Sequence, residues 1–151
     1  MLSFALLSGL WSCGAAPASW STVEADVGFG EFWEGFASIA ERQGYPIDFS
    51  QSDRGLRVYV SKWRTTPAPF AMGRRTRLHG RFERTAEGQP GWRLQFYVQN
   101  QSATDIGSGF EPEEDDWSDA GQDRLREDVL LGQLRLRFGQ QLGIQPSYRS
   151  H

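Results

Sequence analysis

A chain of 151 residues with 38% hydrophobic and 23% charged side chains can bury the core of one domain and is too apolar for intrinsic disorder. Its single cysteine excludes an intrachain disulfide framework, and two histidines with no second thiol leave no soft-metal site. The net charge of −3 hides a division: residues 1–53 carry −6, residues 54–100 carry +8 and residues 101–151 carry −5, so a basic segment lies between two acidic ones.

The chain opens on an apolar run ending Leu10-Trp11-Ser12-Cys13, followed by Ala15-Ala16-Pro17-Ala18. A short apolar stretch closed by small residues predicts an export signal over residues 1–18, outside the fold. The run is about half of the roughly 20 apolar residues that a membrane-spanning helix needs. Residues 19–30 read as a linker, in which Ser21-Thr22-Val23-Glu24 has capping-box spacing for a short helical turn.

From Glu31 to Gln43, Phe32, Phe36, Ile39 and Ala40 recur at helical spacing, with Trp33 widening the stripe; Gly44 and Pro46 end the helix. Three strand-like runs follow. Leu56, Val58 and Val60 alternate with Arg57, Tyr59 and Ser61, continuing through Trp63; Thr76, Leu78, Gly80 and Phe82 alternate with Arg75, Arg77, His79 and Arg81. After the turn 86–91, Trp92, Leu94, Phe96 and Val98 alternate with Arg93, Gln95, Tyr97 and Gln99. Period-two alternation predicts an antiparallel meander with one face buried and one wet. Residues 100–118 read as a polar, acidic loop. Residues 119–138 read as a helix with two apolar rows, Leu125, Val129 and Leu136 on one and Leu130, Leu134 and Phe138 on the other; Leu134, Leu136 and Phe138 also alternate with Arg135 and Arg137, so a strand is the alternative for its end, and the Leu- and Arg-rich composition favours helix. The expectation is therefore an α+β domain over residues 31–139: a two-layer sandwich of helix, three-stranded antiparallel meander and helix, with a tail over 140–151.

With even-numbered strand residues facing the helices, the odd-numbered set shares the wet face: Arg57, Tyr59 and Trp63, then Arg75, Arg77, His79 and Arg81, then Arg93 and Tyr97. Guanidiniums fork onto phosphates or carboxylates and aromatic faces stack on rings, so this set is a candidate binding face resembling the layout of single-stranded RNA-binding sheets. Against it stands a plainer reading, a solvated face neutralised by Glu83 and the acidic loop. Replacing Arg75, Arg77 and Arg81 with serine is expected to abolish binding and leave the fold intact. The acidic residues 113–123 do not have calcium-loop spacing, and no catalytic motif appears: Gly107-Ser108-Gly109 is too short for a nucleophile elbow, and His79 stands among arginines. No cofactor, no metal and no enzymatic activity are expected.

Leu10-Trp11-Ser12-Cys13 resembles the bacterial lipoprotein box, in which the thiol is acylated and becomes the first residue of the mature protein. With Arg42-Gln43-Gly44-Tyr45-Pro46-Ile47-Asp48, Ser61-Lys62-Trp63-Arg64, the Arg-rich second strand and Asp116-Trp117-Ser118-Asp119, the chain resembles small envelope lipoproteins of poorly defined function. The helix–sheet–helix layout is also similar to modules of the C component of the outer-membrane barrel assembly machinery. The resemblance implies lipidation at Cys13, a periplasmic location held by the lipid anchor alone, and a non-catalytic role contacting an envelope protein or anionic envelope polymer. The alternatives are an ordinary signal peptide cut after Ala16 or Ala18, giving a secreted protein, and a cytosolic module binding nucleic acid or another polyanion through the same face. An exported protein does not meet cytoplasmic RNA, so nucleic acid ranks last among the partners.

Overall fold

The computed structural model describes residues 19–66, 73–87, 89–103 and 112–139. The expected export segment with Cys13 and the 140–151 tail lie outside the described residues. The elements in chain order are β1 (Ser21–Ala25), α1 (Phe29–Arg42), β2 (Val58–Val60), β3 (Arg64–Thr66), β4 (Gly73–Arg84), β5 (Trp92–Ala103), β6 (Trp117–Gln122) and α2 (Arg124–Phe138), with a 3-10 turn at Glu114–Asp116 before β6.

The two long strands carry the strictest alternation in the sequence, and they form the centre of the sheet. β4 and β5 pair antiparallel along their whole length, from Gly73 opposite Ala103 to Arg84 opposite Trp92. Leu78, Phe82, Leu94, Phe96 and Val98 point into the core, as the two-residue period requires. Their connection depends on Gly91, which sits at φ +110°; a Cβ there would run into the backbone carbonyl of Ala25.

The expected three-stranded meander is corrected to a six-stranded antiparallel sheet, although the mixed α+β character remains. β1 and β6 lie end to end along β5, and β2 and β3 lie end to end along β4. The additional strands are short edge strands whose sequences carry little apolar periodicity. β6 reads WSDAGQ with no buried residue, and β3 reads RTT. β1 buries only Val23 and Ala25, and the Ser21–Glu24 segment that has capping-box spacing is extended strand. Backbone pairing with a long neighbour, which no side-chain pattern records, makes these segments strands.

The first expected strand is also corrected in phase. Leu56 lies in the turn after Asp53 and is exposed, Arg57 adopts φ +62°, and Tyr59 faces the core fully buried. Directly opposite residues in an antiparallel pair share a face, and Tyr59 lies opposite Gly80 on the core side. The missing side chain at Gly80 leaves room for the Phe36 ring, which packs on Tyr59, and the Tyr59 hydroxyl donates to the Tyr45 carbonyl at 2.9 Å.

Both helices pack on this one face. α1 buries Phe32, Trp33, Phe36, Ile39 and Ala40, and Phe36 stands 4.9 Å from Tyr59 and 6.2 Å from Phe96 between ring centroids. It ends in a Schellman turn: Gly44, at φ +83°, donates to Glu41 while Tyr45 donates to Ala40. α2 begins at Arg124, five residues later than expected, because Asp123 caps it by accepting from the Arg126 N–H. Leu130, Leu134 and Phe138 of α2 complete the core, with Phe138 edge-on to Phe32 at 4.8 Å.

Candidate functional site

With both helices on one side, the opposite face of β4 and β5 carries the odd-numbered residues, and it is organised as paired rungs. Arg75 donates from Nε to Gln101, Arg81 from Nε to Gln95, and His79 shares a hydrogen bond with Gln99. Four aromatic rings are interleaved with these groups. The Arg75 guanidinium sits 4.2 Å from the Trp63 ring centroid and 4.5 Å from that of Trp117, while Arg77 lies 5.1 Å from Trp63. Further along, His79 stacks on Tyr97 at 4.7 Å and 6°, Trp20 stands edge-on to Tyr97 at 4.8 Å, and Arg81 lies 4.6 Å from Trp20. The result is a band of cations and half-buried rings running along the sheet, each guanidinium held by the quadrupole of a ring.

Carboxylates close several of these contacts. Arg75 forks onto both oxygens of Glu114 at 2.8 and 2.6 Å, Arg77 reaches Asp48 at 3.0 Å and the Ser61 carbonyl at 2.8 Å, and Arg93 pairs with Glu24 at 2.7 Å. The Arg75 hydrogen bonds hold the Glu114 carboxyl below the usual carboxylate range, and the Ser50 hydroxyl, assisted by Arg77, does the same for Asp48. Burial lowers the basicity of His79, Arg77 adds to that effect, and the Gln99 hydrogen bond opposes it; the ring is a neutral imidazole at pH 7. Burial, with Asp119 nearby, pushes the Tyr97 hydroxyl up.

Of the nine residues expected on this face, Trp63, Arg75, Arg77, His79, Arg81, Arg93 and Tyr97 are brought to it. Tyr59 is a core residue, and Arg57 leaves the set because its positive-φ turn carries its guanidinium to 4.7 Å from Trp92, a core ring. Arg75 is present but nearly buried, so the triple serine substitution would damage the sheet and is not a clean test of binding. Sequence reasoning missed Trp20, Trp117, Asp48 and the glutamine rungs; the carboxylates it expected against the face are there, with Glu114 of the acidic loop on Arg75 and Glu83 3.4 Å from Arg81. The available signal was tryptophan in otherwise polar segments and the alternating Gln95, Gln99 and Gln101 of the third expected strand, which lie opposite Arg81, Arg77 and Arg75. Asp116 and Glu113 close a capping box around the 3-10 turn, and among the described residues no group of three or more His, Cys, Asp or Glu side chains is placed to hold a metal ion.

A second concavity, a groove of about 260 Å³, lies beside α1 with Trp33, Ala37, Ile47 and Phe49 in its lining and the Glu34–Arg54 ion pair, 2.8 Å, beside it. Ser52 also lines it, with its hydroxyl tied to the Val60 backbone, donating to the carbonyl at 2.8 Å and accepting from the N–H at 2.9 Å. No protein-family model matches the chain, and no curated protein matches it significantly.

Proposed function

We propose that this is a non-catalytic, lipid-anchored domain of the bacterial periplasm that contacts a protein or an envelope polymer through the outer face of its sheet. The observation that supports the reading is the band of rings and cations on a face that neither helix covers. Trp, Tyr and Arg are the residues that dominate binding energy in interfaces, because they present large rigid surfaces with a polar handle. The carboxylates already on Arg75, Arg77 and Arg93 favour a partner that stacks on the rings over a bulk polyanion, which needs free guanidiniums. The anchor rests on Leu10-Trp11-Ser12-Cys13, and among the described residues no helix is long and apolar enough to cross a membrane.

The test has two parts. The mass of the mature protein from its native host is expected to correspond to a chain starting at Cys13 with added lipid, lost in Cys13→Ala. A mature chain that retains Met1 and carries no lipid would overturn the anchor and promote the polyanion alternative. Binding of the intact chain to isolated peptidoglycan and to solubilised envelope proteins is expected to fall at least tenfold in a Trp20→Ser, Arg81→Ser double variant and to vary little with salt. Unchanged binding by the double variant would remove the sheet face from the mechanism, and a steep salt dependence would indicate a polyanion.

A further inference from the structure

α2 carries apolar side chains on two opposite sides. Leu130, Leu134 and Phe138 are buried, whereas Leu125 (74% exposed), Val129 (39%) and Leu136 (75%) face solvent with the exposed Gly132 between them. At 100° per residue the second row lies diametrically across the helix from the first, so the domain's own core cannot use it. Its spacing of four, three and four residues is that of a coiled-coil seam, over a helix about 22 Å long.

We propose that this row is a homodimer interface in which α2 of one copy packs antiparallel against α2 of a second copy. The row is complementary to its own reverse. Leu125 meets the other copy's Leu136, and Val129 meets the other copy's Gly132, since both pairs share one midpoint between positions 130 and 131. A two-fold axis there repeats every contact twice, as an isologous interface demands. Antiparallel pairing places Val129 over the gap at Gly132, where a Cβ would meet nothing within 4 Å. Parallel pairing would set glycine against glycine and leave a void.

Charge agrees with this direction. In antiparallel pairs the flanking positions of one side meet each other, which brings exposed Asp128 of one copy beside exposed Arg135 of the other, twice over. On the opposite flank Arg126 meets Gln133, so no like charges are opposed. Three aliphatic side chains per copy fall well short of the roughly 800 Å² per partner of a standard interface, so the association is weak and reversible. The proposal is independent of the sheet-face reading.

The test uses the intact chain on a Cys13→Ala background, with Leu125→Cys and Leu136→Cys as separate variants; both positions are solvent-exposed, so the fold is retained. Treatment of their mixture with a short bis-maleimide is expected to give a covalent dimer joining one variant to the other. Each variant alone is expected to give at least tenfold less, because like positions lie about 16 Å apart along an antiparallel pair. Self-cross-linking of either variant at equal yield would indicate parallel or random encounter and overturn the proposal. Absence of any cross-link at protein concentrations up to about 1 mM would do the same, as would a Leu136→Cys thiol shielded from maleimide in the monomer by the chain's own residues 140–151. By sedimentation equilibrium, Leu136→Asp is expected to raise the dimer dissociation constant at least tenfold with an unchanged melting temperature; an unchanged constant would refute the interface.

Discussion

The carboxylate of Glu127, a residue 1% exposed, accepts the backbone N–H of Val98 at 3.0 Å. Val98 lies where the outer edge of β5 has no strand beside it: β1 begins at Ser21 opposite Phe96, and β6 ends at Gln122 opposite Gln99. Glu127 takes the orphaned donor and Asp123 donates to the Val98 carbonyl at 2.9 Å, so the first turn of α2 substitutes for the missing strand. The second carboxylate oxygen accepts from Arg124 at 2.8 Å and from the Ser21 hydroxyl at 3.3 Å, joining α2, β1 and β5 at one point.

Glu127→Ala leaves a buried N–H unpartnered and strips Arg124 and Ser21 of their acceptor. The expected cost is about 2–4 kcal/mol in urea unfolding, whereas Glu127→Gln, which retains an acceptor oxygen, should cost less. Equal stability of wild type and Glu127→Ala would show that this junction contributes nothing.

Gly35 of α1 lies against the Phe138 ring of α2, and a Cβ at position 35 would overlap that ring and crowd the Arg137 side chain at 2.9 Å. Gly35→Ala is therefore expected to destabilise by about 1–3 kcal/mol, despite alanine's better helix propensity. Pairing it with Phe138→Leu should recover part of the loss, and a thermal melt of the double variant measures the coupling.

Arg75 and Arg81 share the outer face of β4, with Arg77 and His79 between them, and have different expected consequences. Arg75 is nearly buried between two tryptophans with Glu114 at its fork, so Arg75→Ser should cost about 2 kcal/mol, mainly through the desolvated ring contacts, since Glu114 is itself exposed. Arg81, half-exposed, should cost under about 0.5 kcal/mol. Amide exchange across 117–122 should accelerate only in Arg75→Ser, because Trp117 begins β6.

His79 has its pKa lowered below 6.5 in the folded protein, chiefly by burial. The unfolded chain then binds a proton that the folded chain refuses as pH falls through 6.5, so stability decreases in that direction; a unit or more above 6.5 both states are essentially neutral at this position and the dependence fades. Unfolding curves at pH 7.5 and 5.5 should differ less in His79→Phe, which keeps a ring against Tyr97. An identical difference in wild type and variant would assign the pH response elsewhere.

The correction at Tyr59 shows where reading by periodicity fails. Leu56, Val58 and Val60 alternate with Arg57, Tyr59 and Ser61, and hydrophobicity alone places the aliphatic set inside. The positive φ of Arg57 belongs to the turn, and the partner strand sets the phase: Tyr59 opposite Gly80 must face the core. Three residues of β2 are too few for their own pattern to outvote a twelve-residue neighbour.

The sequence by itself determined the two helices, the phase of β4 and β5, and the set of basic residues those strands turn outward, because a face buried along ten or more residues leaves a periodic apolar record. The tertiary structure alone decided the edge strands β1, β3 and β6, the phase of β2, the withdrawal of Arg57 and Tyr59 from the outer face, the arrival there of Trp20, Trp117 and Asp48, and which carboxylate of the acidic loop, Glu114, meets Arg75. Edge strands are held by backbone hydrogen bonds, which are the same for every side chain. The ring and carboxylate partners come from segments tens of residues away in the chain, and only pairing to β4 and β5 brings them within reach.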